Sequence, residues 1–404
     1  MAFRHGPINV PVATPTLKIA CIIHSLDGGG AERVLAGLAS RLAARSHQVT
    51  LVTLGDGQGD RYPVDPAVNR ERLDLLYSSD GWLGKARAIQ HRVGTLRATL
   101  ARLAPDVVLS FCDRTNVVVS LACPSQLPLV LSERSDPSQQ NLGRVWEFLR
   151  GRGYRHATHL VALTSTSADH LRRRFSVPVT VIPSAIESPM VTSDRSQASS
   201  RCLVIGVGRL EKEKGFDRLI EAFSTALADQ PDWTLRILGE GSCRDQLESL
   251  VRTLGLNNRV TMPGWSDEVQ KELAGATFFV LPSRYEGFPS ALLEAMALGL
   301  PSIAVDCESG PRAVLTRDPI AEGKGDNGNP RAVAGEPFPG GLLVPNDLSS
   351  LANAIGLFAS DERKREAYGE AGKEVVERFG WEPMVDAYEE LLMQAAHANK
   401  PRRS

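Results

Sequence analysis

Six cysteines are few for a chain of 404 residues, and no C-x-x-C pair occurs among them. Those at 21, 112, 123, 202, 243 and 307 are scattered, which excludes a disulfide frame and a thiolate zinc site. They read as small buried hydrophobes of a reducing compartment. The eight histidines form no H-E-x-x-H and there is no Asp-x-Asp, so no metal site is expected. No run of about 18 apolar residues appears, which speaks against a membrane span. The stretch from Met1 to Thr16 has no continuous apolar segment of the signal-peptide kind, so the chain is expected in the cytoplasm. A nucleic-acid partner is not expected.

What the sequence does hold is an ordinary globular composition, 42% hydrophobic and 23% charged, long enough for two domains with a core each. Strand-like apolar runs alternate with helical ones in both halves, as in a parallel doubly wound sheet. The first half offers 18–23, 49–54, 107–111, 129–131, 160–163 and 179–182. The second offers 203–207, 234–238, 259–262, 278–281, 302–305 and 342–344. Residues 187–200 are polar and read as a linker between domains 1–186 and 201–380. The run 323–340, rich in Gly, Pro, Asn and charge, reads as a long surface loop, and 381–404 as a helix with a short tail.

The net charge of −1 hides a split. Residues 1–186 carry 22 Lys and Arg against 14 Asp and Glu, and the remainder carries 24 against 33. Such asymmetry suggests that one half meets an anionic surface or an acidic acceptor. The basic helix expected at 85–103 has an apolar stripe, Ile89, Val93, Leu96, Leu100 and Leu103, beside Arg87, Arg92, Arg97 and Arg102. Two readings stay open and can both hold: peripheral contact with an anionic membrane, and a surface helix packing its stripe on the sheet. The basic residues Arg150, Arg152, Arg155 and Arg172 to Arg174 could extend the same face.

Three motifs carry chemistry. After the apolar run Thr277 to Leu281 and Pro282, the stretch Arg284-Tyr-Glu-Gly-Phe-Pro-Ser-Ala-Leu-Leu-Glu294 makes a Gly/Pro turn that opens a helix. Glu286 lies on the turn and Glu294 one turn inside the helix, so both carboxylates could face a ligand bearing hydroxyls and phosphates. Taken alone, the pair also describes one loop charge and one helix charge. The second motif, Val204-Ile-Gly-Val-Gly-Arg209-Leu-Glu-Lys-Glu-Lys214, runs a strand into a turn with two cations. Arg offers a planar fork for paired phosphate oxygens, and Lys a compact charge. In the third, Leu26-Asp-Gly-Gly-Gly-Ala-Glu-Arg-Val34 follows the first strand, and its Gly29 and Gly30 let a backbone approach an anion at a helix start. Glu32 and Arg33 read equally as helix-start charges.

Together these spellings resemble the retaining glycosyltransferases of the two-lobed GT-B fold, the Glu-x7-Glu or glycosyl transferases group 1 family. The resemblance covers Lys18 to about Leu392 and implies two Rossmann-like doubly wound domains facing a cleft, with the tail helix crossing back to the first domain. It argues against the metal-dependent, single-lobed class. Gly-Gly-Ala-Glu-Arg-Val, Ser132-Glu-Arg-Ser135 and Asp306-Cys-Glu-Ser-Gly-Pro311 look like bacterial transferases that extend lipid-linked glycans or build exopolysaccharide and lipopolysaccharide at the inner face of the cytoplasmic membrane.

The resemblance implies transfer of a hexose or N-acetylhexosamine from a UDP-sugar to a hydroxyl of a glycan or polyprenyl-diphosphate-linked acceptor, with no cofactor. GDP-mannose as donor, or a non-catalytic binding subunit of the same fold, are the alternatives. Carried over by position, Glu294 bonds the ribose, and Glu286 holds hexose hydroxyls with the backbone of Gly287, Phe288 and Ser290. Arg209 and Lys214 neutralise the leaving diphosphate, while Gly239 and Gly264 mark the nucleobase turns. Many members of the resembled family carry a His on the loop after the fourth strand, where this chain has Ser132, Glu133 and Arg134. There Glu133 could orient the acceptor and Arg134 meet a phosphate, or the two could form a structural salt bridge.

Overall fold

Ile19 to Ile23 carries no charged residue, as a strand covered on both faces requires, and the same holds for Val107–Phe111, Phe278–Leu281 and Ser302–Val305. In the computed structural model, which describes residues 15–76, 81–140, 142–189, 201–307, 309–315, 337–338 and 340–398, these runs are inner strands of two seven-stranded sheets. The first sheet holds β1 (Lys18–Ile23), β2 (Gln48–Thr53), β3 (Asn69–Arg72), β4 (Val107–Phe111), β5 (Leu129–Ser132), β6 (His159–Ala162) and β7 (Val179–Val181), in the order 3-2-1-4-5-6-7. Every pairing in it is parallel.

The second sheet holds β8 (Leu203–Val207), β9 (Thr234–Leu238), β10 (Val260–Gly264), β11 (Phe278–Leu281), β12 (Ser302–Val305), β13 (Pro337–Phe338) and β14 (Gly341–Val344), in the order 10-9-8-11-12-14-13. Only β13 runs antiparallel, on β14. The expected doubly wound architecture is present in both lobes, with strand ends shifted by a residue or two. One edge strand, β3, carries no apolar signal to announce it. Asn-Arg-Glu-Arg of β3 is held by pairing with β2 and by Arg70 on Asp60 at 2.7 Å. The polar run 190–200 and residues 316–336 lie outside the described residues.

Each sheet is covered on both faces. Helix Gly30–Ala44 shares one core of the first lobe with helix Trp381–Ala398, which crosses back from the second lobe and contributes Trp381, Met384, Val385, Tyr388, Leu391 and Leu392. Helices Gly81–Leu103, Asp113–Ala122 and Arg144–Gly153 cover the other face. In the basic helix, Leu96 and Leu100 are buried and Val93 and Leu103 pack beside them. Its arginines turn to protein acceptors: Arg92 donates to Leu75 O at 2.9 Å, Arg97 to Leu121 O at 2.8 Å and Arg102 to Glu71 at 2.6 Å. The apolar stripe packs on the sheet, and three of the four arginines find acceptors within the protein.

Of the six cysteines only Cys21 and Cys307 are buried, and the other four are half-buried. All are free, with burial pushing the Cys21 and Cys307 thiols up to about 12. Where the strand order reverses, between β1 and β4 and again between β8 and β11, a crevice opens at the carboxyl ends of the strands. All three motifs sit at these two crevices.

Candidate active site

The cationic turn follows β8. Leu210 is fully buried and anchors it, residues Lys212–Lys214 make one 3-10 turn, and Gly215 adopts φ +67° before helix Phe216–Ala226 begins. A Cβ at Gly215 would fall 2.2 Å from Pro282 O, so only glycine lets this turn lie against the end of β11. Arg284 stitches the two turns together. Its N-H donates to Glu213 O at 2.8 Å, and its guanidinium reaches Lys212 O at 2.8 Å while forking onto Asp217 at 2.8 and 2.6 Å. Sequence reasoning gave Arg284 no role. Its partners are about 70 positions away and leave no local signal.

That stitching brings Lys214 onto Glu286. The Nζ lies 2.7 Å from Oε1 and 2.9 Å from Oε2, and Ser283 Oγ donates to Oε1 at 2.6 Å. Glu286 is 5% exposed, yet its carboxylate is fully hydrogen-bonded, which makes its burial tolerable. Arg209 stays at the mouth, pairing with Glu213 at 2.9 Å. Thus Lys214 meets one acid of the pair directly, whereas Arg209 does not. Glu294 is paired instead with Arg33 of the first lobe.

The helix Ser290–Ala297 starts without a side-chain cap. Pro289, at φ −85° and ψ 73°, turns the chain so that the Ser290 N-H donates to Phe288 O at 3.0 Å. This N-H, expected to serve the ligand, is therefore spent inside the turn. The Phe288 ring packs edge-on against Phe379 with centroids 5.7 Å apart, so its half-buried side chain rests against the core. Gly287 lies directly beneath Arg134 and Ser135 of the first lobe. At the ends of β9 and β10, Gly239 (φ +139°) donates to Gly264 O at 2.8 Å, placing the two expected nucleobase glycines side by side.

From the first lobe, Gly29 caps helix Gly30–Ala44, and Gly30 lies opposite Ser290 Oγ. Glu32 folds back over Gly29 and meets His24 at 3.0 Å. Burial works to raise the Glu32 carboxyl, but the His24 contact and the nearby Arg209 charge hold it below the usual range. Arg61 stacks its guanidinium 4.3 Å over Trp265, a further contact between the lobes.

Glu133 sits elsewhere than an acceptor role expects. It is 1% exposed, with Arg150 at 2.9 Å and the Tyr154 hydroxyl as partners, so the salt-bridge reading fits its surroundings, with Arg150 and not Arg134 as the cation. Arg134 points at Ser184 Oγ and lies 4.7 Å over the Phe111 ring. Among the described residues no group of three or more His, Cys, Asp or Glu is placed to hold a metal ion. None of the described helices is long and apolar enough to cross a membrane.

Comparison with known proteins fits this geometry. Residues 29–185 match the family model described as glycosyl transferase 4-like domain, and residues 194–320 match glycosyl transferases group 1. The chain is 32% identical over 313 residues to an exopolysaccharide phosphotransferase of Streptomyces coelicolor, with 76% of this chain covered. It spans only 31% of that relative's length. Over 375 residues it is 25% identical to the N-acetylgalactosamine-N,N'-diacetylbacillosaminyl-diphospho-undecaprenol 4-alpha-N-acetylgalactosaminyltransferase of Campylobacter jejuni, covering 90% of this chain and 95% of the relative. Among solved structures, Anabaena HepE in complex with UDP superposes with a TM-score of 0.70 at 20% identity, covering 93% of this chain and 100% of that one. The two Rossmann-like lobes are those of the GT-B fold.

Proposed function

We propose, from the premise that this chain belongs to the glycosyl transferases group 1 family, that it is a retaining, metal-independent hexosyltransferase. It moves a hexose or N-acetylhexosamine from a UDP-sugar to a hydroxyl of a glycan or polyprenyl-diphosphate-linked acceptor in bacterial surface polysaccharide or glycoconjugate synthesis. The observation that carries this reading is Lys214 spanning both oxygens of Glu286 at a sheet switch point, with Arg209 at the same mouth. On donor binding, Lys214 exchanges Glu286 for the diphosphate, which frees the carboxylate to accept hexose hydroxyls. Arg209 and Lys214 then offset the charge growing on the leaving group. Glu294 takes the ribose. The UDP bound in the Anabaena relative supports uridine as the base, and the diphospho-undecaprenol in the Campylobacter relative's name supports a lipid-linked acceptor.

Calorimetry across UDP, GDP and ADP tests the donor. Binding of UDP alone is the expected result, and preference for GDP would move the reading to a mannosyl donor. Product anomers read by NMR test retention, and turnover in EDTA tests independence from metal.

Peripheral membrane contact forms part of the same proposal, placed on helix Arg144–Gly153 rather than on Gly81–Leu103. On helix Arg144–Gly153, Val145 and Phe148 are 66% and 71% exposed, in one stripe with Arg144 and Arg152 and with Arg155 just beyond. An exposed Phe between arginines fits an anionic bilayer, each cation near the surface adding about 1 kcal/mol. Co-sedimentation with phosphatidylglycerol vesicles but not phosphatidylcholine vesicles is expected, with Phe148→Asp abolishing it. Equal sedimentation of variant and wild type would remove this surface from the proposal.

A further inference from the structure

Both acids of the pair are tied to the opposite lobe, Glu294 directly through Arg33 and Glu286 by way of Ser309. Ser309 Oγ lies 2.7 Å from Glu286 O and 2.7 Å from Asp136 Oδ2, so its one hydroxyl proton is shared between two acceptors and links the Glu286 turn to the loop after β5. Asp136 is preset for this. Its Oδ1 accepts from Ser138 N-H at 2.9 Å and Ser138 Oγ at 2.7 Å, leaving Oδ2 for Ser309, and Asp136 and Ser309 are both buried. The backbones interlock around the same point. A Cβ on Gly287 would fall 2.6 Å from Arg134 O, and one on Gly310, at φ +89°, would fall 2.9 Å from the Glu286 Cβ. Glu286 and Gly287 are thus held between loop 134–136 of one lobe and Ser309-Gly310 of the other. Arg33, on the glycine-loop helix, makes the matching contact to Glu294.

We infer that Asp136 and Arg33 are positioning residues, each setting one motif glutamate from the opposite lobe: Asp136 fixes the Glu286 turn through Ser309, and Arg33 orients the Glu294 carboxylate. The inference rests on the donor-site reading for what those glutamates bind, but the positioning itself is a property of the unliganded chain. Its consequence is that the hexose and ribose acids reach their working geometry only when the lobes are closed. An open enzyme then holds a donor loosely and leaves its anomeric carbon unactivated. Arg33 need not leave Glu294 for this, because a carboxylate with one oxygen on a guanidinium keeps the other for a ribose diol.

Two measurements separate this from plain packing between lobes. Hydrogen exchange on the unliganded chain should show residues 283–290 exchanging about tenfold faster in Asp136→Ala and in Ser309→Ala. In Asp136→Asn, which keeps an oxygen for Ser309, the rate should return to near wild type. In calorimetry with UDP, which carries no hexose, Asp136→Ala should bind within about twofold of wild type, whereas Arg33→Ala should bind about fivefold or more weakly, with partial rescue by Arg33→Lys. Unchanged exchange at 283–290 in Asp136→Ala overturns the role of Asp136 even if UDP binds normally. Unaltered UDP affinity in Arg33→Ala overturns the role of Arg33. A wild-type chain that ignores UDP sinks the donor reading, and the exchange data still decide the positioning of the turn.

Discussion

At the scale of single residues, the proposed donor site depends on a few contacts that cannot be exchanged for similar ones. Lys214 is half-buried and Glu286 buried against it, so Glu286→Ala should abolish transfer and keep the thermal transition in place, whereas Lys214→Ala should abolish transfer and lower that transition, because it leaves a buried carboxylate without its cation. A variant keeping more than about a tenth of wild-type activity, a loss under about 1.4 kcal/mol, would remove that residue from its role. Glu133 predicts the opposite pattern. Its pair with Arg150 is fully enclosed, and removing one partner strands a buried charge, so Glu133→Ala should cost about 3–5 kcal/mol in urea unfolding. Wild-type stability in that variant would mean the pair is solvated. The sequence marked Lys214, Arg209, Glu286 and Glu294 because turn glycines and charges at fixed spacing are visible locally. It left Glu133 open between an acceptor role and a salt bridge because a loop position does not say which way a side chain turns.

Among the elements, the helix Gly81–Leu103 shows how one pattern admits two environments. An apolar stripe flanked by arginines suits lipid and suits a sheet, and only the partners decide. Here Leu96 and Leu100 enter the core and Arg97 closes over the end of helix Asp113–Ala122 through Leu121 O and Ala122 O. Leu96→Ala or Leu100→Ala should therefore cost about 2–5 kcal/mol, measured by denaturant unfolding. The double charge reversal of Arg92 and Arg97 should leave vesicle sedimentation unchanged, and a fall would return this helix to the membrane. The apolar inner strands were legible because burial on both faces demands continuous apolar runs. Edge strands such as β3 were not, because an edge is held by its neighbour's hydrogen bonds and tolerates charge on both faces.

For the whole molecule, the tail helix ties the lobes together. Trp381 presses so closely on helix Gly30–Ala44 that a Cβ on Gly37 would lie 2.4 Å from its ring, Arg41 stacks 3.8 Å above it, and Tyr388 bonds Ser132 at 3.0 Å. A chain ending at Gly380 should lose the cooperative melting of the first lobe while the second lobe melts as before. Normal melting of both would make the crossing helix dispensable. The anchor also senses acid. Burial works to raise the Glu389 carboxyl, but hydrogen bonds from Arg45 and His47 hold it below the ordinary range. A lowered folded value means that its stabilising contribution is complete above the ordinary glutamate range and is lost as pH falls through the folded value. Glu389→Gln should flatten the acid limb of first-lobe stability, and an unchanged limb would locate the acid sensitivity elsewhere.

The amino-acid sequence by itself determined the two doubly wound lobes, the crevice-forming turns and the residue types that line them. Each of these is written in periodicity and turn chemistry over fewer than twenty positions. Only the tertiary structure decided that Lys214 meets Glu286, that Arg33 reaches Glu294 across the lobes, that Asp136 bridges to the Glu286 turn, and that Glu133 is enclosed. Partner choice between groups up to 261 positions apart depends on how two sheets and a crossing helix dock, and no local pattern carries that information.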